Sequence, residues 1–261
     1  MTFRTITRGV AAMTLCAMTA ACSSNSSSET DGGAVRCATP DGLKIVFSPM
    51  YSAVIPGPSG EGPTFSLPVI VPGLSGSEVS WHASDPSAVS VVADMPTGGA
   101  LLTMLPTAKN PGAPVTVTAV SKTACGTATL SITPATMADW SVGEARYNDR
   151  VGIDGGNRAA CTDCHAPHGD AGQGFNDVAH TPEQAGGFSD VQLLDIIQNA
   201  QIPDGGYFDP SIVTYKQWQQ FHHWNLSLPE QTGIVVYLRS LLPTAQGGTA
   251  SFGGLGAPDG G

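Results

Sequence analysis

Cys161-Thr162-Asp163-Cys164-His165 decides how the second half of this chain is read. Two thiols three positions apart, followed at once by an imidazole, suit one task. The thiols can bond the two vinyl groups of a single porphyrin. The histidine is then held beneath the ring, where a nitrogen reaches the iron. A CxxC disulfide, or half of a four-ligand zinc site, would use the same cysteines. Zinc would need a second pair, and the sequence contains no other CxxC. The pentapeptide therefore predicts one covalently bound haem c, attached through Cys161 and Cys164 and ligated on its proximal side by His165.

The N-terminus says where such a chemistry would operate. Arg4 and Arg8 precede a run from Val10 to Ala21 that is apolar apart from threonines. That is the pattern of a secretory signal, too short to be a good membrane span. Thr19-Ala20-Ala21-Cys22, followed by serines, resembles the lipobox of bacterial lipoproteins. The resemblance implies removal of residues 1–21, lipid on Cys22 and sorting to the outer membrane, on its periplasmic or surface side. Several acyl chains would hold the protein firmly, since one alone binds marginally. Residues 22–34 are Ser-rich and read as a tether, and the Gly-rich residues 245–261 read as a disordered tail. Once lipid and haem have taken their cysteines, Cys37 and Cys125 remain. An even pair in an oxidising compartment predicts a disulfide.

Charge narrows the partners. The chain carries 11 Lys and Arg against 21 Asp and Glu. From Met137 to Gly261 there are 5 basic and 14 acidic residues, a balance of −9, against 4 and 7 from Cys22 to Ala135. The acidity lies mainly on the half that bears the pentapeptide. Nucleic acid is excluded as a partner by this balance, and a redox protein with a basic face fits it.

Residues 35–135 read as all-β. Leu43, Ile45 and Phe47 alternate with their neighbours, as do Val79, Trp81 and Ala83, then Val115 and Val117, then Ala128, Leu130 and Ile132. Pro56-Gly57-Pro58, Pro72-Gly73, Gly98-Gly99 and Pro111-Gly112 punctuate these runs as turns. Short strands with frequent turns predict a two-sheet sandwich. The segment Val79–Pro86 and the strand Cys125–Leu130 resemble those of bacterial immunoglobulin-like domains, which implies an Ig-like sandwich. His82 beside them reads as a surface histidine.

Residues 137–244 read as all-α. A first helix is expected over 140–151. Ser189-Asp190-Val191-Gln192 is a capping box that opens a helix over 191–200. Ser227-Leu228-Pro229-Glu230 opens another through Leu242, stopped by Pro243, with Ile234, Leu238, Leu241 and Leu242 on one face. With Gly143 and Tyr147 in the first helix, CxxCH after it and Val236–Leu241 in the last, this half resembles the small monohaem class I cytochromes c. The resemblance implies their fold, in which a glycine at the crossing of first and last helices admits an aromatic ring. It also implies that the carbonyl of Pro182 accepts a hydrogen bond from His165.

The distal ligand departs from that family. Its members use a methionine between the middle and last helices, and here the last methionine is Met137, ahead of the haem motif. His168, His180, His222 and His223 are what remain, and His168 lies too near His165 to cross the ring. A helix over 214–224 would put Tyr215, Trp218, Phe221 and His222 on one arc, which favours His222, with His223 and His180 as alternatives. A bis-histidine iron has a lower potential than a His/Met one. The sequence thus predicts a two-domain, membrane-anchored electron carrier rather than a stand-alone catalyst. Two other functions stay open: a haem sensor or enzyme for peroxide, nitric oxide or carbon monoxide with a displaceable distal ligand, and a surface-binding module acting through the sandwich.

Overall fold

Strand β7, Cys125–Pro134, carries the clearest period of two. Ala128, Leu130 and Ile132 point into the core, while Thr127 and Thr129 face solvent. The structure, a computed structural model, describes residues 42–58, 61–94, 98–148, 160–165, 180–201, 203, 222 and 224–243. Among these, six further strands precede β7: β1 Met50–Val54, β2 Ser66–Ile70, β3 Ser80–Ala83, β4 Val89–Asp94, β5 Gly99–Met104 and β6 Val115–Val120. They form two sheets, ordered β1-β7-β6-β3 and β2-β5-β4. All pairings are antiparallel except β1 with β7, where Met50 lies opposite Leu130 and Val54 opposite Pro134.

This is an Ig-like all-β domain. In immunoglobulin lettering β2, β5 and β4 are strands B, E and D, and β3, β6 and β7 are C, F and G. The first strand has moved from the B edge to lie along G. Trp81 fills the place of the buried tryptophan on strand C and is 8% exposed. Phe65, Leu67, Val69, Leu102, Val115, Val117 and Leu130 complete the core between the sheets. Each such side chain contributes roughly 1.5–3 kcal/mol by leaving water. Cys125 is disulfide-bonded. Its predicted partner Cys37 lies outside the described residues, as do Cys22, the signal, the tether and the C-terminal tail.

One expected strand is absent. Leu43, Ile45 and Phe47 alternate in sequence, yet the segment is a series of bends. Phe47 sits at φ 64°, in the left-handed region, and this breaks the extended conformation. Irregular bonds hold the segment instead: the amides of Gly42 and Leu43 donate to the Cys125 carbonyl, and that of Val46 donates to Ile70.

Among the described residues five helices follow: α1 Met137–Asn148, α2 Thr162–His165, α3 Pro182–Ala185, α4 Asp190–Asn199 and α5 Leu228–Arg239. Helix α1 begins before Trp140 because Thr136 caps it. The Asp139 carboxylate accepts from the Thr136 amide and hydroxyl at 2.9 and 2.7 Å, and the Thr136 hydroxyl accepts from the Asp139 amide at 3.1 Å. The predicted capping boxes at Ser189 and Ser227 are both present. Helix α5 stops at Arg239 rather than Leu242. Ser240 turns its hydroxyl onto the Tyr237 carbonyl at 2.8 Å and accepts the Trp140 indole N–H at 2.7 Å, which fixes the chain end against α1. Leu242 consequently lies outside the apolar face and is 77% exposed. Among the described residues no helix is long and apolar enough to cross a membrane.

The helices do not stand apart from the sandwich. Val236 of α5 is part of the sandwich core, and Trp140 of α1 packs against it. The Tyr51 amide of β1 donates to the Gly186 carbonyl at 2.9 Å. These contacts fix the helical half beside the β1 edge and leave its other side for the site described next.

Candidate functional site

The crossing of α1 and α5 frames the site. A Cβ on Gly143 would run into the Gly233 carbonyl, and one on Gly233 would lie 2.7 Å from the Asp139 carbonyl and the Gly143 amide. Each glycine makes room for the other helix's backbone. The predicted glycine is therefore half of a reciprocal pair, and its partner Gly233 carries no sequence signal beyond being a glycine in a helix. The close approach brings Tyr147 and Tyr237 to a ring separation of 5.0 Å, with Trp140 5.6 Å from Tyr237.

Tyr147 points from this crossing into a cluster of three imidazoles. Its hydroxyl donates to the His165 carbonyl at 3.4 Å and lies 3.2 Å from Nδ1 of His180. The direction of the contact with His180 is set by the histidine tautomer. Burial, followed by the neighbouring Cys161 and Tyr237, pushes the Tyr147 phenol up. Burial, reinforced by His165 and His222, holds His180 well below the ordinary histidine range, so it is neutral.

Helix α2 is one turn, closed by the His165 amide donating to the Cys161 carbonyl at 2.8 Å. That turn sets Cys161 and His165 at its two ends. Cys161 packs against the core formed by Tyr147, Leu193, Trp224, Leu226, Ile234, Val235 and Leu238, and so do Phe188, Leu194 and Ile197. The His165 ring has two parallel neighbours. His180 stacks on it at 3.8 Å and 17°, in ring-on-ring contact. His222 stands 6.0 Å away at 18°.

These separations have different chemical meanings. Two imidazoles on opposite sides of one metal, with bonds of about 2 Å and ring centres about 1 Å beyond each nitrogen, lie about 6 Å apart. The His165–His222 spacing is of that size and the His165–His180 spacing is not. An imidazole that ligates iron stands edge-on to the porphyrin, and a ring stacked on its face stands on the same side of the porphyrin. Both rings lie nearly parallel to His165, His180 in contact with its face and His222 further off. Among the described residues no group of three or more His, Cys, Asp or Glu side chains is arranged to hold a bare metal ion.

Pro182 opens α3, and its carbonyl accepts the Gly186 amide at 2.7 Å, closing that turn. His222 and Trp224 have no helical backbone, unlike the expectation for 214–224. The other positions of that arc, with His168 and His223, lie outside the described residues, as does the side chain of Cys164. His82 on β3 is half-buried and far from this cluster in the fold.

Sequence reading missed the charged residues that support the site. Arg146 and Glu230 are both buried and paired, Nε to Oε1, at 3.3 Å. The Arg146 guanidinium also lies 4.4 Å above the Trp224 ring. Arg239 is buried at the end of α5 and donates to the carbonyls of Tyr51 and Phe188 at 2.9 Å and to Asp190.

No protein-family model matches the chain, and no curated protein matches it. Solved structures similar to it include the M1 domain from titin, at 9% identity over 34% of this chain and 91% of that one, with a TM-score of 0.26. A chimeric titin Z1Z2 is similar at 18% identity over 40% of this chain and 98% of that one, with a TM-score of 0.25. Domains 4 and 5 of the S-layer protein SbsC are similar at 11% identity, covering 38% of this chain and 53% of that one, with a TM-score of 0.25. Scores this low add no weight, and the sandwich assignment rests on the strand order given above.

Proposed function

We propose that this protein is a membrane-anchored, extracytoplasmic c-type cytochrome. In this reading an Ig-like domain is joined to a helical domain of the class I cytochrome c type, which carries one haem and transfers single electrons. Cys161 and Cys164 bind the porphyrin, His165 is the proximal ligand and His222 the distal one. The observation that carries the reading is the His165–His222 geometry, two nearly parallel imidazoles 6.0 Å apart beside the Cys161 turn. The donor set suits haem c, and the half-buried Phe188, Leu194 and Ile197 pack against the same apolar core as Cys161.

When bound, the iron supplies the one-electron chemistry. The chain's own residues do the rest. Tyr147 holds the His165 backbone and the His180 ring, and His180 packs on the face of His165 and limits its rotation. The helix crossing at Gly143 and Gly233 keeps these groups in register. With His165 and His222 both holding the iron, a small ligand would have to displace an imidazole, which would favour electron transfer over ligand chemistry.

The test is spectroscopic. The purified full-length protein, made in a cell competent in cytochrome c maturation, should gain the mass of one haem and show a low-spin spectrum with two nitrogen ligands. His222→Ala should convert it to a high-spin or solvent-ligated spectrum. A colourless protein of unmodified polypeptide mass rejects the haem, and an unchanged low-spin spectrum in His222→Ala rejects that ligand.

A further inference from the structure

Among the described residues, His222 and 224–227 lie in neither helix nor strand. Side chains hold this stretch instead, and they converge on Arg146. The Trp224 amide donates to the Ile197 carbonyl at the end of α4, 3.3 Å away. The Trp224 ring is buried beneath the Arg146 guanidinium at 4.4 Å. Three residues on, the Ser227 amide and hydroxyl donate to one oxygen of Glu230, at 2.8 and 2.7 Å. The other Glu230 oxygen faces Arg146 at 3.3 Å. A single side chain of α1 thus reaches both ends of the strap from Trp224 to Ser227, the first directly and the second through Glu230.

An arginine kept here for stability alone would be a poor choice. Its Nη1 and Nη2 are buried without a hydrogen-bond partner among the described residues. Desolvating such a pair offsets most of its attraction, and an apolar pair of equal volume would do as well or better. What the guanidinium provides is placement, because a planar cation over an indole and beside a carboxylate has one orientation.

We infer that Arg146 is a positioning residue for the distal ligand: by clamping Trp224 and Glu230 it fixes how far His222 stands from His165. This rests on the haem reading above. His222 lies two residues before the clamped Trp224, so the clamp acts on the chain directly after it.

The experiment uses the full-length holoprotein with two disruptive variants and one conservative one. Arg146→Met with Glu230→Gln removes both charges together and keeps a residue able to cap α5. Trp224→Leu removes the stacking face and leaves the ion pair. Haem content is measured first, by mass and by the alkaline pyridine spectrum. If the wild type lacks haem, the cytochrome reading fails before this inference is reached. With haem present, both variants should stay folded and loaded but show a mixed high- and low-spin electron paramagnetic resonance spectrum. Carbon monoxide should bind the reduced variants at least tenfold faster than the wild type. Arg146→Lys, which keeps the charge but not the planar face, should fall between. Wild-type spin state and carbon monoxide rate in both variants, with only the melting temperature lowered, would overturn the inference and leave Arg146 a structural residue. If one variant fails to fold, the other decides on the same two readouts.

Discussion

Arg239 donates through Nη2 to Oδ1 of Asp190 at 2.6 Å, joining the last helix to the first residue of α4. Through Nη1 the same guanidinium holds the Tyr51 carbonyl of β1, and through the other Asp190 oxygen it is linked to the Thr133 hydroxyl of β7 at 2.7 Å. One buried cation therefore ties four elements from both halves of the molecule. Burial lowers the Arg239 pKa, and Asp190 opposes that shift.

Replacing Arg239 by Ala leaves the Tyr51 and Phe188 carbonyls buried without their donor and Asp190 without its partner. The expected loss is roughly 3–5 kcal/mol, toward the low end because Asp190 reaches solvent. Urea unfolding checks it. Asp190→Asn, which keeps an acceptor oxygen, should lose less. Equal losses in the two variants would mean that the bonds to the carbonyls contribute nothing.

Gly143→Ala and Gly233→Ala should each destabilise the helical half by more than the 1–3 kcal/mol usual for an added methyl. In both cases the nearest atoms in the way are backbone, joined at Gly143 by the Tyr237 Cβ, and none of these can swing aside. The melting temperature should fall, and the Tyr147 contact to His180 should loosen with it. If alanine at either position is neutral, the helices cross at a greater distance than described here.

How much of this was legible beforehand depended on whether the signal was local. The Ser189 and Ser227 boxes are four-residue patterns whose partners lie one turn away, and both formed. Thr136-x-x-Asp139 is a pattern of the same kind, available in the sequence and overlooked, and it moved the start of α1. Trp81 and Leu130 were readable because alternation against a solvent face is local too. Gly233, Arg146 and Arg239 were not readable, because their partners are far away in sequence. Arg239 at a helix C-terminus looks like a residue that answers the helix dipole, not one that reaches the carbonyl of a strand at Tyr51. The Leu43–Phe47 alternation misled for the converse reason, since a backbone turn at Phe47 overrode a pattern that only describes side chains. The three imidazoles were each recognisable, but nothing in the sequence told that His180 would lie 3.8 Å and His222 6.0 Å from the His165 ring.

The turn after β3 gives a pH prediction. Asp85 accepts the Ser87 hydroxyl at 2.6 Å and the Ser87 amide at 2.9 Å, and these bonds lower its pKa below the ordinary aspartate value of 3.8. A depressed folded pKa means the bonds contribute fully above the unfolded value and are lost as pH falls through the folded one. The window therefore lies below 3.8. Following the Asp85 carboxyl by nuclear magnetic resonance should place its midpoint there, and Ser87→Ala should move the midpoint up. A midpoint that ignores the Ser87 change would show that the hydroxyl bond does not hold the charge.

Surface charge gives the last prediction. The helical half and tail hold 5 basic residues against 14 acidic ones. Arg146 and Arg239 are internally paired with Glu230 and Asp190, so subtracting both pairs leaves the balance of −9 unchanged. That field should draw cationic electron donors and repel anionic ones, and it is screened over about 10 Å at 0.1 M salt. At low ionic strength the reduced holoprotein should exchange electrons faster with a cationic small-molecule oxidant than with an anionic one of equal potential. Raising the salt should slow the first, speed the second and bring the rates together. Stopped-flow mixing at several salt concentrations measures both. Rates that do not move with salt would mean that electrons leave through a face the acidic residues do not surround, and a basic partner would then lose its rationale.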